Sequence, residues 1–487
     1  MIGGYLRSTS CLAMVAAAGF VMSTAGAQAA DLGGNCCADL EERVAELEAT
    51  TARKGNRKVS LQIYGQVSET IMWWNDGAES NVYVQENNNI KNTLGFQGNA
   101  KINSDWSAGF KLELQIRAYR SSAANQNALG ASNNVTITAY NTQAVSLRHA
   151  YWFLKSNSYG TITVGRDVDA ATGTSGISLV NPDGFSGPSG PGFANGGFFL
   201  RRAGAVAPAG LSGLTWSTGA YVRNGDGPAA FDYAQTNSGV KYTSPFFLGQ
   251  TKSSGFLVST NWGMDDAWAV ALRYVEDFGS IRVAAGASYS GWTGIDRGQC
   301  SNVGANPATV SNVDCNSWQA SASLLHVPTG LYVSGGGAQG TDKNAKATAT
   351  AGGLAAAAVA SVDEKFGFWW IQAGWQAKLN SLGSTIFWGQ YQVMDNGLGV
   401  NSNAIQTLAS SDSLNSTLST AWLAGNTAKV WSLGVSQKID AAAMTLYAGF
   451  HNYSNEITLL TPATGVKTKA NAIDDMQLFY TGATIKF

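Results

Sequence analysis

The stretch that decides the fold is residues 110–119, which read FKLELQIRAY. Its even-numbered positions are Phe, Leu, Leu, Ile and Ala, whereas its odd-numbered positions are Lys, Glu, Gln, Arg and Tyr. Side chains of a β-strand point alternately to opposite faces, so this stretch would have one apolar and one polar face. A strand that crosses a bilayer needs roughly 9 to 11 residues, whereas strands of soluble domains usually have about five or six. The stretch therefore predicts a membrane-spanning strand.

The same period of two continues from residue 58 to residue 487, and links of two kinds separate the alternating segments. Short links alternate with long links rich in Gly, Ser, Asn and Ala. This arrangement predicts an all-β fold, a 16-stranded antiparallel transmembrane β-barrel with both termini on the short-link, periplasmic side. The short links are 103–107, 156–160, 207–210, 277–279, 327–329, 380–383 and 440–442, and the long links are 75–88, 120–143, 168–197, 224–265, 293–316, 338–364, 395–427 and 454–474.

Two weaker alternating segments, 239–243 and 254–262, leave a count of 18 strands possible. They have fewer outward apolar positions than the other segments. We therefore interpret them as a hairpin within a surface loop.

The composition agrees with a water-filled membrane barrel. Charged residues make up only 13% of the chain, while glycine (57 residues) and aromatic residues (10%) are abundant. Half of each strand in such a barrel faces lipid and half faces water, which gives this mixture. The formal net charge of -1 gives no support for nucleic-acid binding.

The first 57 residues predict export and self-association. Arg7, an apolar stretch at 11–22 and the sequence Ala-Gln-Ala at 27–29 are typical of a signal peptide, here residues 1–29. Residues 30–57 include Leu40, Val44, Leu47 and Thr51, spaced alternately by four and three. This heptad pattern predicts a short helical coiled-coil segment, although two heptads are helical only when they pack on something else.

Four cysteines remain after removal of the signal peptide, and in an exported chain they indicate possible disulfides. Cys300 and Cys315 lie in one predicted surface loop, and we expect them to pair; two free thiols are the alternative. Cys36 and Cys37 are adjacent and can hardly bond to each other, so bonds between subunits are possible. No histidine or further thiol beside them has the spacing of metal ligands.

Three segments resemble the trimeric general porins of alphaproteobacterial outer membranes: 61–67 (LQIYGQV), 92–98 (NTLGFQG) and the last strand, 479–487 (FYTGATIKF). The resemblance spans roughly residues 58–487. It implies a homotrimer in the outer membrane, surrounded by lipids and lipopolysaccharide. It also implies that the barrel-assembly machinery reads the terminal Phe487.

The resemblance further implies a loop that folds into the barrel after the fifth strand and narrows the pore. Residues 159–167 resemble the strand leading into it, 168–197 the loop, and 198–202 the return strand. Every second residue of a strand points into the barrel, and these positions together with the loop anchors predict a constriction. There a basic wall faces acidic loop residues, which gives the channel a weak preference for anions. The predicted lining residues are Lys111, Glu113, Arg117, Arg148, Arg166, Asp167, Asp169, Asp183, Arg201, Arg202, Arg223, Arg273 and Arg282.

No pattern of residues indicates an enzyme, because His149, His326 and His451 fall in separate strands without a nucleophile, base or metal ligand beside them. The sequence thus predicts no catalytic, cofactor or metal site. The inward faces are mainly Ser, Thr, Gln, Gly, Arg and Lys, which favours a water-filled diffusion channel over a plugged adhesin or structural barrel. A sugar-specific channel is the nearer alternative. It would need a ladder of inward aromatics, whereas the inward tyrosines are scattered: Tyr64, Tyr119, Tyr221, Tyr332 and Tyr447.

Overall fold

The computed structural model describes residues 59–117, 119–127, 145–207, 209–219, 237–263, 267–294, 313–351, 353–395, 407–409, 414–415 and 420–487. Residues Lys58–Phe487 form one compact unit. The predicted signal peptide, the predicted coiled coil with Cys36 and Cys37, and the predicted lining residue Arg223 lie outside the described residues.

The described chain is dominated by strands, with a few short helices in the long connections. The strands are β1 Ser60–Asn75, β2 Ser80–Glu86, β3 Asn92–Lys101, β4 Trp106–Ile116, β5 Val145–Ser156, β6 Gly160–Asp167, β7 Phe199–Arg201, β8 Leu211–Thr215, β9 Asn237–Thr243, β10 Gly255–Gly263, β11 Trp268–Asp277, β12 Ile281–Gly294, β13 Val313–His326, β14 Leu331–Asp342, β15 Lys365–Asn380, β16 Gly383–Asp395, β17 Thr407–Ala409, β18 Thr420–Ile439, β19 Met444–Leu460, β20 Lys467–Lys469 and β21 Met476–Lys486. The α-helices are α1 Gly190–Asn195, α2 Trp216–Gly219, α3 Ala345–Ala351 and α4 Ala356–Ala360, and single 3₁₀ turns lie at Ser121–Ala123 and Asp440–Ala442. In the described part of the chain, none of the helices has the length and apolar character needed to cross a membrane.

Sixteen strands pair in an antiparallel ring, which confirms the predicted 16-stranded barrel. The order is β1-β3-β4-β5-β6-β9-β10-β11-β12-β13-β14-β15-β16-β18-β19-β21, and β21 pairs with β1 from Gln66↔Lys486 to Asn75↔Gln477. Three further short strands, β2, β17 and β20, pair with the long-loop ends of β1, β18 and β19. Since the last strand closes on the first, the ring has no free edge.

Two of the sixteen strands are not those that the sequence predicted. β9 and β10, interpreted above as a hairpin in a surface loop, are wall strands between β6 and β11. The predicted return strand at 198–202 and the strand after the short link 207–210 instead form a separate two-stranded sheet, β7–β8. The predicted count of sixteen strands is nevertheless right, because β9 and β10 take the place of the two strands that were predicted on either side of the short link 207–210.

The outer face of the wall is apolar and the inner face is packed against other parts of the chain. Along β4, Leu112 is exposed on the outer face, whereas Glu113 and Gln115 are buried. Along β15, Trp369 and Ile371 are exposed. Exposed apolar side chains in alternation match a surface that faces lipid.

Inward aromatic rings lie flat across glycines of neighbouring strands. A methyl group at Gly95 would be 2.2 Å from the Tyr64 ring, and one at Gly434 would be 2.7 Å from the Trp388 ring. Glycine at these positions lets the rings lie against the wall instead of projecting into the lumen. The same arrangement pairs Tyr332 with Gly374, Phe366 with Gly340, Tyr447 with Gly482, and Tyr480 with Gly449.

One side of the interior contains a large apolar cluster, which corrects the sequence-based expectation of a polar lining throughout. The inner faces of β12–β14 carry mainly Ser, Ala, Gly and Gln. The inner faces of β15, β16, β18, β19, β21 and β1 also contribute large apolar side chains, which pack around the segment from 185 to 216 in one buried cluster. Its members include Met72, Trp74, Phe185, Phe193, Phe198, Leu200, Leu214, Trp216, Phe368, Trp370, Tyr453, Leu478 and Tyr480.

Candidate functional site

The predicted constriction loop, 168–197, follows the inner wall of the barrel from strand to strand. At its start, Ala170 and Ala171 pack on Ala269 and Ala271 of β11. Further along, Val180 is buried with side chains of β14 and β16. The loop is therefore applied to the wall over several strands.

Serines of β13 bind the loop backbone. Ser321 Oγ donates to the carbonyl of Thr174 at 2.6 Å and accepts from the amide of Ile177 at 2.9 Å. Ser323 Oγ accepts from the amide of Leu179 at 3.0 Å. Short polar side chains on the inner face thus satisfy backbone groups that a loop inside a barrel could not pair otherwise.

Glutamine and tryptophan side chains continue this attachment on β15 and β16. The Gln390 amide binds both backbone groups of Gly187, at 2.9 Å and 3.0 Å. Gln392 Nε2 donates to the carbonyl of Pro188 at 2.9 Å, and Trp370 Nε1 donates to that of Ser175 at 2.7 Å. The loop is held by hydrogen bonds as well as by packing.

A row of charged residues lies on the wall that this part of the loop does not contact, on β4 and β5. Glu113 is its centre: Lys111 Nζ is 3.1 Å from Oε2, and Arg148 Nη1 is 2.6 Å from Oε1. The Tyr64 hydroxyl donates to Oε2 at 2.8 Å. The side chains of Lys111 and Arg148 are 24% and 34% exposed, against 4% for Glu113. The charge that solvent meets here is therefore positive.

The row continues onto β6 and β9 through a histidine. His149 Nδ1 is 3.3 Å from Asp167 Oδ1, and His149 Nε2 is 3.9 Å from Glu113 Oε1. Asp167 Oδ2 also accepts from Lys241 Nζ. Cations and carboxylates therefore alternate across four neighbouring strands.

Four predicted lining residues thus come together in this charge row: Lys111, Glu113, Arg148 and Asp167. Lys241 was not among the predicted lining residues, because its strand was interpreted as part of a surface loop. His149 was not predicted to take part either; the bulge in β5 between residues 147 and 149 turns both Arg148 and His149 toward Glu113.

Asp169 and Arg273 both lie at the base of the loop, beside the charge row. Arg273 Nη2 donates to the carbonyls of Ala170 and Thr172, at 2.9 Å and 2.8 Å. Asp169 is buried, so it does not line the pore as predicted. Asp183 lies half-buried in the loop.

Two predicted residues, Arg166 and Arg201, have places other than the constriction. Arg166 lies on the outer face with Ile162 and Val164, and its Nε donates to the carbonyl of Leu147 at 3.1 Å. Arg201 is fully buried in an ion pair with Asp76.

The remaining predicted residues lie toward the ends of the barrel. Arg202 is exposed, and its backbone forms an isolated antiparallel β-bridge with Ile473 in a long loop. Arg282 pairs with Asp277 across a short turn. Arg117 directly follows β4, where its Nη2 donates to Gln115 at 3.3 Å.

Cys315 is buried on β13 and is disulfide-bonded. Its predicted partner Cys300 lies outside the described residues, so their pairing stays a prediction. Within the described ranges, no group of three or more His, Cys, Asp and Glu side chains has an arrangement that could hold a metal ion.

No family model matches the sequence, and no curated protein matches it. Among solved structures, an anion-selective porin from Comamonas acidovorans is similar with a TM-score of 0.50 and 15% identity, over 88% of this chain and 100% of that one. OmpT, an outer membrane protein of Vibrio cholerae in its trimer form, gives 0.46 and 14% over 88% and 99%. The outer membrane channel DcaP of Acinetobacter baumannii gives 0.45 and 10% over 89% and 99%.

At these identities the likeness concerns the fold. The ring of sixteen strands is similar to the barrel of the Comamonas porin over nearly the whole described chain. The protein thus has the fold of an outer-membrane porin.

Proposed function

We propose that the protein is an outer-membrane porin through which ions and small hydrophilic solutes diffuse passively, with a weak preference for anions. The observation that carries this proposal is the exposure of the charge row. Lys111 and Arg148 cover the buried carboxylate of Glu113, so a passing solute meets ammonium and guanidinium groups first. Fixed charges at a narrow section set ion preference.

We also propose the cellular setting that the sequence predicts. Residues 1–29 direct export, residues 30–57 associate in a homotrimer, and both termini are periplasmic. The apolar outer face suits lipid and lipopolysaccharide, and the assembly machinery would read the terminal Phe487. The predicted Cys300–Cys315 disulfide would brace one surface loop.

The test is single-channel conductance of the refolded protein in a planar bilayer, with a salt gradient to give the reversal potential. Conductance steps in multiples of three would support an open homotrimer. The sign of the potential should show anions favoured. Lys111→Gln and Arg148→Gln should each lower the ratio of anion to cation permeability, whereas Arg282→Gln, which removes an exposed turn charge, should leave it unchanged.

A barrel that does not conduct is the second candidate, and one observation favours it. The apolar cluster around residues 185–216 fills one side of the interior, as a structural or adhesive barrel would require. A correctly folded sample without conductance would exclude the porin and favour this second candidate.

A further inference from the structure

Asp169 is a buried carboxylic acid with half of its hydrogen-bonding capacity unused. It is the second residue after β6, at the base of the constriction loop. Its Oδ1 accepts from the backbone amide and the hydroxyl of Thr172, both at 2.7 Å. Its Oδ2 is buried and has no hydrogen-bond partner among the described residues.

A small cavity of about 10 Å³ lies beside this carboxyl group, lined by Asp167, Asp169, Lys241 and Asn261 and by glycines of β6, β9 and β10. The volume suits about one water molecule. Two residues of the charge row, Asp167 and Lys241, are therefore next to Asp169, whose own side chain is buried.

The cations around Asp169 are already bound to other acceptors. Lys241 of β9 binds Asp167 and the carbonyl of Val168. Arg273 of β11 binds Ser259 Oγ and loop carbonyls. They lower the energy of the ionised carboxyl group from a distance, without a direct hydrogen bond to it.

The charge row supplies further titratable or charged groups on the neighbouring strands, namely Glu113 of β4, Arg148 and His149 of β5, and Asp167 of β6. Tyr151 of β5 also interacts electrostatically with Asp167 and Glu113. Burial is the dominant influence on Asp169, and it raises the pKa of this carboxyl group to about 6, since the ionised form loses its hydration. The hydrogen bonds from Thr172 and the charges of Lys241 and Arg273 oppose this shift.

We propose that Asp169 is a specificity-determining residue of the pore, which acts from a buried position beside the charge row and increases the preference for anions when it is protonated. This inference rests on the proposed function. Among the aliphatic and guanidinium cations and the carboxylates, the four cations Lys111, Arg148, Lys241 and Arg273 exceed the three carboxylates Glu113, Asp167 and Asp169 by one charge. Protonation of Asp169 removes one negative charge, so the excess of positive charge doubles.

The experiment measures the reversal potential of the wild-type channel in a salt gradient from pH 8 to pH 4.5. The ratio of anion to cation permeability should rise as the pH falls, with a midpoint near 6. Asp169→Asn imitates the protonated side chain in shape and charge. At every pH it should therefore give the high permeability ratio that the wild type reaches only at acid pH. Thr172→Val removes one hydrogen bond that stabilises the ionised form, and should move the midpoint to higher pH.

Two matched controls separate Asp169 from its neighbours. Asp183→Asn makes the same charge change on a half-buried side chain of the same loop, and should leave the pH step in place. His149→Gln should also leave the step in place.

The inference is overturned if Asp169→Asn keeps the wild-type step, or if His149→Gln abolishes it. A flat wild-type ratio between pH 8 and pH 4.5 overturns it even if no variant folds. Absence of conductance in the wild type would instead refute the proposed function, so the two failures are distinguishable.

Discussion

Arg201 connects the two-stranded sheet β7–β8, which lies inside the barrel, to the long-loop end of the barrel wall. Its side chain is fully buried, its Nε donates to Asp76 Oδ2 at 2.7 Å, and its Nη1 donates to the carbonyl of Ala209 at 2.7 Å. A third bond joins it to Glu79. Asp76 also accepts from Gln126, so one ion pair joins three stretches that are distant in sequence.

We expect Arg201→Met to lower the free energy of unfolding by about 3–5 kcal/mol, because it leaves the buried carboxylate of Asp76 without its cation. Urea unfolding in lipid vesicles, followed by tryptophan fluorescence, measures the change. Arg202→Met is the control, since Arg202 is adjacent and exposed. The double variant with Asp76→Asn should recover part of the loss, and equal stability of Arg201→Met and wild type would contradict the prediction.

At the same scale, the sequence could predict that these arginines lie near the loop but not what each one does. Arg201 and Arg202 are neighbours, and only the partner decides which is buried; Asp76 is 125 positions away. Arg166 shows the same limit, because its strand was predicted correctly while its side chain lies on the outer face. A charge near a strand end can point either way when water is close to both faces.

At the scale of elements, the constriction loop depends on the polar inner face of β13. We expect Ser321→Ala with Ser323→Ala to loosen it, because the amides of Ile177 and Leu179 lose their acceptors, each bond contributing about 1 kcal/mol. Hydrogen exchange read by mass spectrometry should be faster in peptides covering residues 174–180.

A matched control for this double variant is Ser436→Ala. The Ser436 hydroxyl is buried on the inner face of β18 and has no hydrogen-bond partner in the part of the chain that the structure describes, so its loss should not change exchange in the loop. Equal protection of residues 174–180 in the double variant and the wild type would show that packing alone holds the loop.

The exchange of the pair β7–β8 for the pair β9–β10 shows which feature of the elements a hydrophobic pattern cannot predict. β7 and β8 are short and rich in apolar residues, and Leu200 and Leu214 are fully buried inside the barrel. β9 and β10 carry a smaller fraction of apolar residues but still present Val240 and Trp262 on the exposed outer face. Apolar side chains suit both lipid and a dry interior, so hydrophobicity alone could not decide which pair spans the membrane.

At the scale of the whole molecule, closure of the ring could be predicted because it follows from an even number of strands. The apolar cluster of the interior could not be predicted. It forms only when the segment 185–216 meets the inner faces of β15, β16, β18, β19 and β21, far along the chain. The parity of a strand says which residues point inward but not what covers them.

The seam between β1 and β21 ends at Phe487. Its backbone amide donates to the carbonyl of Gly65 at 3.0 Å, and the amide of Gly65 donates back at 2.9 Å. The Phe487 ring lies over Gly65, where an added methyl group would be 2.5 Å from it, yet the residue is 64% exposed. The backbone of Phe487 thus closes the seam, while its ring contributes little burial.

These two parts of Phe487 can be tested separately. Deletion of Phe487 removes both hydrogen bonds, worth about 1 kcal/mol each, and should reduce the fraction that refolds into detergent or lipid, measured by heat-modifiable migration in gels. Phe487→Ala keeps the backbone, so it should refold like the wild type. In cells, it should nevertheless reach the outer membrane in smaller amounts if the assembly machinery reads the ring. Equal amounts of Phe487→Ala and wild type in the outer membrane would exclude the ring as the signal, and poor refolding of both variants would mean that the ring packs more tightly than its exposure indicates.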